Sequence, residues 1–214
     1  MTTRDVRRSE ALAADAVSEP ARVLLVAETL GVEERAATAV LAVDAREPAY
    51  RGREGEPHAV VHSTATARRL LDGLLSRNNA VGLASLDGDC WLPPGGGRDH
   101  EAAAHALLRS HAAFSASPSG GEEHDADELT RRLRERLPQG AQLLLLSPLC
   151  DDLPVSVARR LEAHGHPVTV ISPDVTRSTT VGERLAGVER ENRITELRRA
   201  SVSVVDWSTT DPLG

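Results

Sequence analysis

Lysine is missing from this 214-residue chain, and every one of its 25 basic residues is arginine. Aromatic side chains are nearly as scarce, limited to Tyr50, Trp91, Phe114 and Trp207, so the core must be built from Leu, Val and Ala. Without a lysine no P-loop can form, because that motif uses one to reach the β- and γ-phosphates. The Gly-rich stretch Pro93–Gly97 therefore cradles no nucleotide in that way. Neither G-x-G-x-x-G after a strand nor G-x-S-x-G occurs, which removes the signatures of dinucleotide binding and of an α/β-hydrolase elbow. Cys90 and Cys150 stand alone, outside any C-x-x-C spacing. They predict neither a zinc site nor a disulfide framework, and they fit a reducing cytoplasm. No apolar run approaches the ~20 residues of a membrane span. Met1–Pro20 carries Arg4, Arg7 and Arg8 but no apolar core of a signal peptide. Positive charge is in deficit, with 25 basic residues against 32 acids and a net charge of −7. That balance argues against a general nucleic-acid surface.

What is present is an alternation of short apolar runs and helical patterns. Residues 1–20 read as a flexible polar segment, and 21–214 as one domain of ordinary α/β size. Strands are predicted at Arg22–Leu30, Ala39–Asp44, Ala80–Leu86, Cys90–Leu92, Gln142–Ser147, Val168–Ser172 and Val202–Trp207. Between them, His58–Arg77 places Val60, Ala67, Leu70, Leu71 and Leu74 at helical spacing. Further helices are expected at Arg98–Ser110, at Asp127–Leu137 with Asp125 as N-cap, after Pro154, and over Val181–Ala200. Ser115–Asp125 reads as an exposed loop. The order predicts a mainly parallel sheet with helices on both faces, and the Asp87-Gly88-Asp89 turn adds one antiparallel edge strand.

Two of the apolar runs end in acids. Ala39–Val43 delivers Asp44, followed by Arg46 and a polar loop to Pro57. Leu143–Leu146 leads through Ser147-Pro148-Leu149-Cys150 to Asp151 and Asp152. Ligands and partners of open α/β sheets meet the chain just past such strand ends. The plain expectation for Asp44 is a carboxylate that caps backbone N–H groups or pairs with Arg46.

Six segments taken in order resemble one family. They are Glu33–Asp44 (EERAATAVLAVD), Asn79–Leu86 (NAVGLASL), Cys90–Gly97 (CWLPPGGG), Leu145–Asp152 (LLSPLCDD), Gly165–Asp174 (GHPVTVISPD) and Val202–Leu213 (VSVVDWSTTDPL). Together they are similar to the von Willebrand factor A-like half of the proteins grouped as "domain of unknown function 58", closest to haloarchaeal members. The resemblance runs from about Val23 to Leu213 and implies a von Willebrand factor A-like, doubly wound fold. It also implies a partner, since members of that family are often encoded beside MoxR-type AAA+ ATPases and are thought to serve them as adaptors or assembly factors. Longer relatives carry upstream hydrophobic segments and an Arg-x-Asp-Trp region that this chain does not have, so membrane anchoring is not carried over.

Many A-type domains hold Mg²⁺ at the strand-end edge through Asp-x-Ser-x-Ser, a distant Thr and a distant Asp. Asp44 fits the first position, but Arg46 and Pro48 replace both serines. The loop expected to supply the threonine reads Ser119-Gly120-Gly121-Glu122, and Pro148 stands where the later acid is expected. Arg46 puts a cation where the metal would bind. The resemblance therefore implies a degenerate metal-ion-dependent adhesion site, with Asp44, Asp151 and Asp152 as its residual ligands and no bound Mg²⁺.

Weaker candidates have plainer explanations. His58 and His62 lie four apart on a helix but lack a third ligand, and His100, His105 and His111 share no face. Cys150 beside Asp151 reads as a small buried group rather than an activated thiol. Glu189–Arg193 reads as a salt-bridged outer helix face. Trp91 and Trp207 each follow an apolar run and are expected to cover the sheet, Trp91 with a share in binding. The expectation is a non-enzymatic protein-interaction module that contacts a partner through Asp44, Arg46, Asp151, Asp152 and Trp91. The alternative is a metal-dependent hydrolase using Asp44, Asp151 and Asp152.

Overall fold

A computed structural model describes residues 37–52, 57–115, 117–118, 125–176 and 180–208. The lead-in segment 1–20, the strand expected at Arg22–Leu30 and most of the Ser115–Asp125 loop lie outside the described residues. The six strands are β1 (Thr38–Val43), β2 (Ala80–Ser85), β3 (Trp91–Gly95), β4 (Gln142–Leu146), β5 (Val168–Asp174) and β6 (Ser203–Ser208). Among the described residues, five helices connect them: α1 (Ala59–Leu75), α2 (Arg98–Ser110), α3 (Ala126–Arg136), α4 (Leu153–Ala163) and α5 (Val181–Arg199). Single 3₁₀ turns lie at Glu47–Ala49 and Ala112–Phe114.

The strands form one sheet in the order β3-β2-β1-β4-β5-β6. Only β3 runs antiparallel. Because side chains alternate across a strand, each apolar run supplies two faces at once. Ala39, Leu41 and Val43 of β1, with Leu144 and Leu146 of β4, meet α1 and α2 through Leu70, Leu71, Leu74 and Leu108. Val40, Ala42, Leu143 and Leu145 meet the other layer, where Leu129, Leu133, Val157, Leu161, Ile194 and Leu197 come from α3, α4 and α5. A six-stranded, mostly parallel sheet with helices on both faces and one antiparallel edge is a von Willebrand factor A-like, doubly wound α/β fold. None of the described helices is long and apolar enough to cross a membrane.

Local chemistry sets the joints. Asn78 takes a positive φ of 61° after α1, a conformation that asparagine tolerates better than most residues. The buried Asn79 side chain then donates to the Leu74 carbonyl at 3.0 Å and accepts from the Ala37 N–H at 2.9 Å. One amide thus ends the helix and aligns the starts of β1 and β2. Asp125 caps α3 as expected, accepting from the Glu128 N–H at 3.3 Å. Thr180 and Glu183 close a capping box at the start of α5.

Two expectations need correction. The strand expected at Cys90–Leu92 does not stop before the prolines; Pro93 and Pro94 lie inside β3, which runs on to Gly95. Proline is tolerated there because β3 is an edge strand among the described residues, with no described outer neighbour asking for its missing N–H. Gly82 of β2 makes room for this, since a Cβ there would sit 2.9 Å from the Leu92 carbonyl oxygen. The second correction concerns Glu189–Arg193. Arg190 faces inward, buried, donating to Ser172 Oγ at 2.9 Å and to Asp206 Oδ1 at 2.5 Å.

Candidate functional site

The sheet order reverses direction between β1 and β4, from which the chain winds outward both ways. A crevice at the carboxyl ends of two such strands is where doubly wound sheets place their sites. Register decides which residues meet there. Val43 pairs with Leu146 across the parallel ladder, so the next residues, Asp44 and Ser147, stand side by side. The Asp44 N–H extends the ladder by one bond, 2.8 Å to the Leu146 carbonyl.

Past this point the chain closes on itself through one guanidinium. Arg46 donates from Nε to Asp44 Oδ1 at 2.9 Å and from Nη2 to Asp44 Oδ2 at 3.0 Å. Its outer edge meets Asp151 in a second bidentate pair, Nη1 to Oδ2 and Nη2 to Oδ1, both at 2.9 Å. Ser147 Oγ donates to Asp44 Oδ2 at 2.8 Å and accepts from the Leu149 N–H at 3.2 Å. Asp44 is 2% exposed and Arg46 8%. Burial by itself would lower the Arg46 pKa, but the charges and hydrogen bonds of Asp44 and Asp151 outweigh it. The guanidinium pKa therefore stands above its ordinary value, and the group is a permanent cation.

The cluster does not fit Mg²⁺. A hard cation needs about six oxygens at octahedral positions. Here both Asp44 oxygens accept hydrogen bonds from the Arg46 fork and Ser147, and the face of Asp151 turned inward is taken by the same fork. Inserting a second cation would mean expelling a buried guanidinium held by four N–H···O bonds. The metal-dependent hydrolase reading likewise finds Asp44 closed, with both of its oxygens taken by Arg46 and Ser147.

Of the residues expected at the site, Asp44, Arg46 and Asp151 come together and Asp152 does not. Asp152 points outward to Arg193, whose Nε reaches its Oδ1 at 2.6 Å, while Arg193 Nη1 donates to the Leu149 carbonyl at 3.2 Å. Trp91 pairs with Ala84 on the edge strand β3, separated from β4 by β2 and β1, packing on the α3 layer with the Arg136 guanidinium 5.8 Å from its ring centre. Trp207 is 1% exposed, with the His62 ring edge-on at 5.7 Å. His58 stacks instead near Tyr50, at 4.8 Å, so the two histidines go to different aromatics. Sequence reasoning missed Ser147 and Arg193. Ser147 had a signal, since it follows β4 as Asp44 follows β1. Arg193 lay in the charge run read as a salt-bridged outer face, but its partner, 41 residues away, had no signal.

Beside the cluster, a cavity of about 540 Å³ opens between the loop after β4 and the start of α5, lined in part by Arg51, Cys150, Arg190 and Arg193. Burial pushes the Cys150 thiol up to about 11; nearby Arg51 opposes the shift, and Asp44 adds to it. A thiol so held is a poor nucleophile. Elsewhere, Asp72, Glu101 and His105 gather between α1 and α2 with ligand atoms within 4.8 Å of one another. His105 Nε2 lies 2.7 Å from Asp72 Oδ1, a hydrogen bond that accounts for the pairing. No protein-family model matches the chain, and no curated protein matches it at a significant level.

Proposed function

We propose that this domain is a non-enzymatic interaction module, an adaptor or assembly factor, that presents the carboxyl edge of its sheet to a protein partner. The observation that supports this is the Arg46 guanidinium lying between Asp44 and Asp151. A cation supplied by the chain itself bridges two strand-end carboxylates, leaving the trio with a net charge of −1, and ties the loop after β1 to the loop after β4. In A-type domains that hold a metal, the ion does the same work. In this reading the site is a degenerate metal-ion-dependent adhesion site whose loops are permanently ordered rather than ion-gated.

The buried pair Asp44 and Arg46 sets the shape of the edge, and the outward groups make the contact: Asp152, Arg193, Arg51 and the open side of Asp151. The resemblance to the domain of unknown function 58 family supplies the partner class, a MoxR-type AAA+ ATPase working in the cytoplasm. The test is capture of a MoxR-type ATPase from a lysate of the native host, using the full chain as bait without nucleotide or divalent metal. Capture is expected, and Asp152→Arg should weaken it while leaving the melting temperature nearly unchanged, because exposed charges contribute little to stability. A folded bait that captures no ATPase would overturn the assignment of the partner. Capture that requires added Mg²⁺ and is lost in Asp44→Ala would overturn the metal-free edge.

A further inference from the structure

Helix α5 is supported over only part of its length. Its C-terminal half is anchored through Arg190, Ile194 and Leu197, whereas no residue from Val181 to Glu189 is buried. That free half carries Val181, Leu185 and Val188 at 74%, 58% and 53% exposure. Only one other large apolar side chain among the described residues is exposed, Val61 at 39%. The spacing i, i+4, i+7 puts the three on one stripe, on the side of the helix away from Ile194 and Leu197.

The stripe follows a heptad. Val181, Leu185 and Val188 occupy alternating d, a and d positions, and Asn192 takes the next a. On this frame Arg184 and Glu191 are both g positions, and both side chains are exposed with no ion pair among the described residues. Glu189 and Glu196 fall at e positions.

We infer that this face of α5 pairs with the same face of a second copy of the chain, in antiparallel orientation about a two-fold axis. In that arrangement Leu185 packs in one layer with Val188 of the other copy, twice by symmetry, and Val181 meets Asn192. Antiparallel coiled coils set g against g, so Arg184 of each copy meets Glu191 of the other and both unpaired charges are matched. The parallel alternative sets g against e, which would match Arg184 with Glu189 but oppose Glu191 to Glu196, so its attraction and repulsion cancel where the antiparallel arrangement has attraction alone. The self-complementary pattern is what identifies the occupant. An unrelated partner would not require Arg184 and Glu191 to sit at mutually matching positions. The seam is short, because beyond Asn192 the same stripe continues as Thr195 and Arg199. The dimer is therefore weak and reversible, and it stands independently of the partner proposed for the sheet edge.

Sedimentation equilibrium of the full chain over a wide concentration range tests this. The expected result is a reversible monomer–dimer equilibrium. Leu185→Glu should give monomer at every concentration with an unchanged melting temperature, since the side chain touches no core. Arg184→Glu should weaken the dimer about tenfold or more. Combining Arg184→Glu with Glu191→Arg should restore it, an outcome that a merely sticky surface would not produce. A monomeric wild type, a dimer indifferent to Leu185→Glu, or a double variant no tighter than Arg184→Glu alone would each overturn the inference.

Discussion

The strand-end cluster and the free half of α5 are both rich in charge, yet they use it in opposite ways. At the cluster each charged group has its partner inside the fold: Arg46 is gripped by Asp44 and Asp151, and Ser147 donates to Asp44. On α5, Arg184 and Glu191 face solvent beside an uncovered apolar stripe. Matched, buried charge positions loops and resists competition from ions. Unmatched, exposed charge beside apolar surface is available to another molecule. The comparison separates residues that shape this protein from residues it offers outward, and sequence spacing alone would have grouped them together.

The largest effect should come from breaking the cluster. Arg46→Ala leaves the buried Asp44 carboxylate without its cation and facing the partly buried Asp151, and losing one partner of a buried ion pair costs about 3–5 kcal/mol. Urea denaturation should register that loss, whereas Leu185→Glu measured in parallel should register almost none. Equal losses in the two variants would erase the distinction between the regions. This also revises the expectation that Arg46 is an accessible contact residue, because a side chain 8% exposed cannot be reversed in charge without disturbing the fold.

A second effect, of comparable size, is expected at the sheet edge. Trp207 fills the end of β6 under α1, beside His62. Removing residues 201–214 strips that strand from β5 and exposes the β5 edge, a recognised route to aggregation. Loss of soluble expression is the expected outcome. If the truncated protein is soluble and melts cooperatively, β6 is an accessory strand. Trp207→Ala isolates the packing share of this, at about 3–5 kcal/mol for a buried Trp.

The remaining effects are close to zero, and their smallness is the prediction. Adding Mg²⁺ or Mn²⁺ should leave the melting temperature unmoved, because the oxygens of Asp44 are committed to Arg46 and Ser147. A saturable stabilisation that disappears in Asp44→Ala would show the guanidinium to be displaceable. The thiols supply the pH arm of the comparison. Cys90 and Cys150 both have pKa values pushed up to about 11 by burial. The thiolate fraction rises with pH, so at pH 8 it is only about a thousandth of each. Alkylation of the native protein should be very slow at pH 8 and accelerate toward pH 11. Fast labelling at neutral pH would mean that the loop after β4 opens.

Much of the fold was legible because strand burial and helix amphipathicity are local signals. Ala39–Val43 and Leu143–Leu146 read as buried parallel strands since both faces of each must be apolar. The helix at α1 read correctly from its spaced Val60, Ala67, Leu70, Leu71 and Leu74. The Asp44–Arg46 pairing was also within reach, two residues apart on one loop. The proline-bearing edge of β3 was not, because tolerance for Pro93 and Pro94 depends on having no strand outside them.

What the sequence by itself determined is therefore the set of elements, their alternation, and the acids waiting at two strand ends. Tertiary structure decided which of those acids act together. Asp151 and Asp152 are neighbours in the chain, but the turn after Leu149, at a φ of +56°, sends one inward to Arg46 and the other outward to Arg193. In the same way Arg190 and Glu191 adjoin on α5, and the 100° step of the helix buries one against Ser172 and leaves the other in water. Adjacency along a chain carries no information about facing. Only the packing of β1 against β4, and of α5 against the sheet, converts a row of charges into an inside and an outside.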